Sequence, residues 1–270
     1  MKAQVNVDIT VNSSRSELGS AAAEEVLELL SAAHRDRRRL LVGVPAGRTL
    51  VPVIDALERS LLAAPQPLDH LTIVMMDDYV LRAADGEWAA PPATAHYSCR
   101  RFGEDLRARL NAAVGDQPTI PSGQLWSPDP QNPREYDQRI ANAGGIDLFF
   151  VAVGTSDGHV AFNPPHSSLE SRTRVIPLAS STRADNLGTF PEFDSLAEVP
   201  SHGVTVGLAT IMDARRVEMV AHGAAKAPAI RRILEAHAFD PAWPATLIHE
   251  HAEASMRVDA ELAGEVPISV

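Results

Sequence analysis

Eight consecutive residues, Ile146-Asp147-Leu148-Phe149-Phe150-Val151-Ala152-Val153, carry one charged side chain among them and stop at Gly154-Thr155-Ser156-Asp157-Gly158-His159. A run this short, apolar at odd and even positions alike and closed by a glycine turn, fits a strand buried on both faces of a parallel sheet. Asp157 and His159 then fall at the strand's C-terminal end, the edge where open α/β sheets bind ligands. A carboxylate two residues from an imidazole, with Gly158 between them to allow a tight backbone path, makes an acid/base pair suited to proton transfer.

The same punctuation recurs along the chain. Ser16 to Ala33 has apolar residues at Leu18, Ala22, Val26, Leu29 and Leu30, the spacing of an amphipathic helix. Arg39 to Val44 reads as a buried strand, Pro45-Ala46-Gly47-Arg48-Thr49 as a loop, and Leu50 to Ala63 as the next helix. His70 to Met76 is a further strand that runs into Asp77-Asp78-Tyr79-Val80. Leu81 to Thr94 has no clear period and predicts a loop of lid-like length. Helices are expected over His96 to Leu110 and Asn132 to Ala143, around a Pro-rich surface excursion from Gln117 to Gln131. Strands follow at Arg174 to Leu178, Val217 to Ala221 and Ala245 to Ile248, with helices at Leu208 to Ala214 and Lys226 to His237. This alternation predicts an α/β fold: a doubly wound, mostly parallel sheet with helices on both faces, a Rossmann-like three-layer sandwich forming a single domain over residues 1–270.

Charge and composition narrow the partners. A formal net charge of −11 argues against nucleic acid and anionic membranes but leaves room for a small anion. No apolar run approaches the roughly 20 residues a membrane span requires. Met1-Lys2-Ala3-Gln4 leads into an alternating segment without a signal-peptide core, so a cytoplasmic protein is expected. The single cysteine, Cys99, excludes an internal disulfide and reads as a core residue. Lysine occurs twice, as Lys2 and Lys226, and arginine supplies every other basic side chain.

Three strand ends present polar groups that a doubly wound sheet brings to one edge. The loop Gly47-Arg48-Thr49 offers backbone N–H groups at a helix start, with hydroxyl and guanidinium donors, which suits a phosphate. It is neither a Walker A sequence nor a dinucleotide fingerprint, so no nucleotide cofactor is indicated. Asp77 and Asp78 fit a metal site, a catalytic base, or a helix cap beside a solvated neighbour; without a matching histidine cluster, metal is the least favoured of these. His249-Glu250-His251 would set two imidazoles on one face of a strand but lacks a third ligand, and a structural or solvated role is expected.

The series Gly43-Val44-Pro45-Ala46-Gly47-Arg48-Thr49, Met76-Asp77-Asp78-Tyr79-Val80, Ile146 to Asn163, Ser167 to Arg174, Val204-Thr205-Val206-Gly207 and Gly223-Ala224-Ala225-Lys226-Ala227 resembles the glucosamine-6-phosphate deaminases. These share a superfamily with the 6-phosphogluconolactonases. His159-Val160-Ala161-Phe162-Asn163 and Asp77-Asp78-Tyr79 look like the deaminase branch. The resemblance implies that Asp77 is the base moving a proton between C2 and C1 of an open-chain amino sugar. It further implies that His159 assists pyranose opening, that Asp157 orients it, and that Lys226 with Gly47, Arg48 and Thr49 holds phosphate, while Asp78 belongs to the substrate site. No metal or organic cofactor is implied; a small sugar phosphate is the expected partner, and a homo-oligomer is compatible with the resemblance.

Four departures from the family pattern shape the expectation. Two residues, Thr155 and Ser156, separate Gly154 from Asp157 where one is usual, so the turn is expected to be reshaped. Pro164 stands in place of a glutamate that completes the ring-opening relay, and Gly188 in place of a phosphate-binding arginine, for which Arg48 is the available substitute. Ile176-Pro177 replaces a polar pair of the allosteric relatives, which predicts no activation by a second sugar phosphate. The expected activity is isomerisation and deamination of an amino-sugar phosphate; hydrolysis of a sugar-lactone phosphate and silent sugar-phosphate binding are the alternatives.

Overall fold

The computed structural model describes residues 7–268. Met1-Lys2-Ala3-Gln4, and with it Lys2, lies outside the described residues. The elements run β1 (Asp8–Asn12), α1 (Arg15–Arg35), β2 (Leu40–Val44), α2 (Val51–Ala63), β3 (Leu71–Met75), β4 (Asp77–Arg82), β5 (Trp88–Ala89), α3 (Cys99–Ala113), β6 (Leu125–Trp126), α4 (Pro133–Asn142) and β7 (Leu148–Val151). They continue as β8 (Arg174–Pro177), α5 (Ser180–Thr189), β9 (His202–Thr205), α6 (Leu208–Met212), β10 (Val217–Ala221), α7 (Ala227–Glu235), β11 (Ala254–Asp259) and α8 (Ala260–Ala263).

Seven strands form a parallel sheet in the order β1-β11-β10-β7-β2-β3-β6. Alternate side chains of its central strands feed two cores. Leu40, Val42 and Val44 of β2, Ile73 and Met75 of β3, and Leu148 and Phe150 of β7 pack with α1, α2 and α3. Leu41, Val74, Phe149 and Val151 point the other way, into a core with α4, α6, α7 and the segment Pro244–His249. Helices thus cover both faces, as the near-continuous apolar strands require. Asp147, the polar exception in the run that precedes β7, accepts the Leu41 N–H at 2.9 Å and pairs with Arg38 and Arg215, which satisfies its buried charge.

The strand order reverses between β2 and β7, which are neighbours in the sheet. The crevice at such a switch point is bounded by the loops leaving both strands. Here those are residues 45–49 and 152–159.

A second sheet, β5-β4-β9-β8, is antiparallel and was not anticipated. Met76 alone separates β3 from β4, so the chain passes from the large sheet directly into the small one. Arg174–Pro177 is a strand as expected, but it belongs to this antiparallel sheet. Two other expectations are corrected. Ala245–Ile248 lies in a 3-10 helix, Pro244–His249, and the parallel strand comes later, at β11. The excursion from Gln117 to Gln131 contains the edge strand β6, tied to β3 through the Tyr136 hydroxyl, which lies 2.8 Å from the Met75 carbonyl and 3.0 Å from that of Trp126. Among the described residues no helix is long and apolar enough to cross a membrane.

Candidate active site

The four central strand ends open on one cavity of about 620 Å³. Its phosphate-like end is built by the loop after β2. No atom lies within 4 Å of where a Cβ at Gly47 would be, so the loop leaves its inner side free. It leads into α2, whose N-terminus has no side-chain cap, although Pro52 has no N–H and the Val51 N–H donates to the Arg48 carbonyl at 3.3 Å. Across the crevice, Lys226 sits on a 3-10 turn, Ala224–Lys226, before α7 rather than inside a helix. Its ammonium donates to the Val153 carbonyl at 2.6 Å. Burial pushes the Lys226 pKa down, Asp185 acts against that, and Arg48 adds to it. The Arg48 guanidinium in turn donates to the Gly188 carbonyl at 2.9 Å.

The two adjacent acids separate cleanly, because successive residues of a strand point to opposite faces. Asp77 lines the cavity and is buried. Desolvation drives its pKa up to about 7; a hydrogen bond from the Cys99 thiol partly offsets this, and the neighbouring Asp78 charge adds to it. Cys99 is buried in the wall as a core residue, its own pKa pushed up by burial and the two acids. Asp78 is not among the lining residues. It accepts the N–H groups of Tyr79 and Cys99 at 2.9 Å and of Arg100 at 3.1 Å, and the Ser98 hydroxyl at 3.2 Å, closing the start of α3. Helix capping is thus where its carboxylate is used.

The turn after β7 holds the imidazole by close packing and by charge. His159 Nδ1 lies 2.7 Å from Asp157 Oδ1, which also accepts the His159 backbone N–H at 3.1 Å. Gly154 is required by contact: a Cβ there would stand 2.1 Å from His159 Nδ1. Gly158 combines a φ of +68° with the Trp243 ring 2.4 Å from any Cβ, so the turn is pressed against the loop before Pro244. Asp157 is buried, and although burial opposes its charge, hydrogen bonds and attraction from His159, with a further bond from the Ser181 hydroxyl, hold its pKa down at about 2. With Nδ1 engaged by Asp157, and Thr182 Oγ1 3.4 Å away, the opposite nitrogen is left to address the cavity.

Ser181 and Thr182 belong to α5, a helix that the sequence pattern does not announce. The same helix contributes Asp185, Asn186 and Thr189 to the wall, and Asp185 accepts from the Ser156 hydroxyl at 2.7 Å. The extra residue in the turn thus has a partner on α5. Arg15, His222 and Glu261 also line the cavity. His222 approaches the Thr49 carbonyl at 3.1 Å through Nε2, and Arg15 opens α1. Their positions at helix starts or strand ends were a usable signal, but nothing in their own sequence neighbourhood marks them.

Asp77, His159, Gly47, Arg48, Thr49 and Lys226 therefore meet in one cavity, with Asp157 directly behind His159. Pro164 and the segment from Leu81 to Thr94 contribute nothing to its lining, and that segment contains the β4–β5 hairpin. His249 and His251 lie elsewhere, each with Nε2 on a backbone carbonyl, that of Ile233 at 2.9 Å and that of Ala214 at 2.8 Å. The cavity offers a buried base near neutrality, an imidazole with one nitrogen fixed, and the cationic groups of Arg48 and Lys226. Such a set can move protons on a phosphorylated small molecule.

The family described as glucosamine-6-phosphate isomerases/6-phosphogluconolactonase matches residues 13–256. Glucosamine-6-phosphate deaminase of Pseudarthrobacter chlorophenolicus is 33% identical over 258 residues, covering 93% of this chain and 90% of that protein. The enzyme of the same name from Arthrobacter sp. is 32% identical, covering 97% and 94%. Among solved structures, a monomeric glucosamine-6-phosphate deaminase superposes with a TM-score of 0.79 at 23% identity, covering 96% of this chain and 100% of that one. A 6-phosphogluconolactonase from Shewanella baltica superposes at 0.67 with 15% identity, covering 94% and 98%, so the fold is common to both activities. With most of its length matched and its strand ends converging on one cavity, this chain belongs to the glucosamine-6-phosphate isomerase/6-phosphogluconolactonase family.

Proposed function

We propose that the protein converts an amino-sugar phosphate of the glucosamine 6-phosphate type, with water, into a ketose phosphate and ammonia. One observation carries the reading: a buried carboxylate with a pKa near 7, Asp77, shares a cavity with an Asp-held imidazole at one end and Lys226 with the Arg48 loop at the other. The curated relatives named above as glucosamine-6-phosphate deaminases support it over most of the chain.

The phosphate binds at the α2 N-terminus between Arg48, Thr49 and Lys226. Asp157 keeps Nδ1 of His159 occupied, so Nε2 takes the anomeric hydroxyl proton and passes it to the ring oxygen as the pyranose opens. Asp77 then removes the C2 proton, leaving an enolamine, and returns a proton to C1. The resulting C2 imine adds water and expels ammonia. One carboxylate serves both transfers because the planar intermediate is held at both ends. A base with a pKa near 7 matches the task at physiological pH better than an exposed aspartate would.

Purified protein incubated with glucosamine 6-phosphate is expected to release ammonia and ketose phosphate in equal amounts by NMR. The Asp77→Asn variant is expected to release both at least about 100-fold more slowly. Hydrolysis of 6-phosphogluconolactone without ammonia release from the amino sugar would replace this reading with the lactonase one.

A further inference from the structure

His34, Asp69 and His70 meet at the opposite edge of the large sheet from the cavity, where α1 ends and β3 is about to begin. One donor atom from each lies within 4.8 Å of the other two. No step of the proposed reaction uses them.

The surroundings of His70 fix how its ring faces this cluster. Nε2 lies 2.9 Å from the Leu30 carbonyl, which only accepts, so Nε2 carries the hydrogen. In the neutral ring the lone pair is then at Nδ1. That atom is buried and has no hydrogen-bond partner among the described residues. Asp69 Oδ1 stands 3.7 Å from it, and the His34 ring centroid is 5.3 Å from that of His70. A lone pair and a carboxylate thus face each other beside a second imidazole, an arrangement that a cation between them relieves. A histidine whose far nitrogen donates to a backbone carbonyl is also the usual form of a metal-binding one, since that bond sets tautomer and ring orientation. The last turn of the 21-residue α1, from which His34 projects, adds the negative end of a helix dipole.

We propose that His34, Asp69 and His70 form a site for a divalent transition ion of the zinc class. Two imidazoles and one carboxylate select against magnesium and calcium, which take oxygen donors. Zinc at its ordinary distances of about 2.0–2.1 Å asks for donor separations of about 3.4 Å. The Nδ1–Oδ1 pair is already near that at 3.7 Å, and the exposed His34 side chain is free to close the remainder. Water completes the tetrahedron. The bound ion ties the end of α1 to the lead-in of β3, and its effect is on stability rather than on turnover.

Untagged, EDTA-stripped full-length protein titrated with zinc chloride at pH 7.5 is expected to bind one equivalent. At a free concentration about 100 times Kd, Tm is expected to rise by about 5–10 °C. Cobalt(II) at the same site is expected to show the intense visible absorption of tetrahedral coordination. His34→Ala changes an exposed residue and keeps the His70–Leu30 bond; it and Asp69→Asn are each expected to lower affinity at least tenfold and remove the cobalt band while ammonia release is unchanged. Binding that is undiminished in the double variant, binding weaker than about 100 μM in the wild type, or a cobalt spectrum of purely octahedral type overturns the proposal.

Discussion

The Arg48 guanidinium, on the loop after β2, is hydrogen-bonded to the main-chain carbonyl of Gly188 on α5, 2.9 Å away. The resemblance to the deaminases implies an arginine where this chain has Gly188, and here the Arg48 guanidinium reaches that backbone position from the loop after β2. A Cβ at Gly188 would meet nothing within 4 Å, so a side chain fits there. Arg48→Met is expected to raise KM for the phosphorylated substrate about 10- to 100-fold with little change in kcat, as for a charge-assisted hydrogen bond used in both ground and transition states. Adding Gly188→Arg to that variant is expected to recover most of the loss; steady-state kinetics of the single and double variants check both statements.

The buried Asp77 links activity to instability. Its carboxyl is raised from 3.8 to about 7 on folding, so between those values the unfolded chain ionises the group and the folded chain does not. Stability therefore falls as pH rises through this window, and the whole penalty is present above pH 7. Asp77→Asn is expected to lower kcat by about 10²–10⁴ while raising Tm at pH 8 by about 5 °C or more, with little effect on Tm near pH 4. Calorimetry at the two pH values is the measurement.

For the same reason kcat/KM is expected to rise with pH to a plateau, with an inflection near 7 set by Asp77. Cys99→Ala removes the thiol that lowers that value, so the inflection moves upward without loss of the plateau. A profile flat from pH 5.5 to 8 contradicts the assignment of the base.

His159 depends on the absence of a side chain beside it. Gly154→Ala sets a methyl 2.1 Å from Nδ1, so the ring must leave the Asp157 carboxylate. A loss of about 1–3 kcal/mol of stability and at least 100-fold in kcat is expected. Asp157→Asn leaves the space intact and is expected to reduce kcat without a comparable fall in Tm. Denaturant unfolding beside kinetics separates the two.

Much of the large sheet was legible because its central strands are buried on both faces and so stand out as nearly continuous apolar runs; β2 and β7 are of this kind, as are β3, interrupted only by Thr72, and β10, interrupted only by Glu218. β11 is not: Arg257 interrupts it, held inside by Glu218 at 2.7 Å and Glu25 at 3.2 Å, ion partners that only the fold brings together. Ala245–Ile248 was misread because a short apolar run looks the same as strand or as buried 3-10 turn, and Pro244 at its start favours the turn. α5 was invisible for a different reason. Its sequence, Ser180-Ser181-Thr182-Arg183-Ala184-Asp185-Asn186-Leu187-Gly188-Thr189, is rich in weak helix formers, and the hydroxyls that lower its propensity are those that hold Asp157 and flank His159. Asp77 and Asp78 could not be told apart from their order alone; strand alternation sends one into the cavity and the other to the start of α3.

Thr205 stands opposite Asp77 in the β4–β9 ladder, and its hydroxyl accepts the Phe162 N–H at 3.2 Å, three residues beyond His159. Asp77 and His159 are therefore gauged against each other by a residue that does not line the cavity. Two sheets of different hydrogen-bonding type meet at this point, and the small one works as a caliper: with the roles proposed above, the width to which it is set fixes how far the base stands from the imidazole. On those roles, changes of substrate in such a scaffold need not begin in the cavity at all; a displacement of β9 alters the spacing between Asp77 and His159 without changing either side chain.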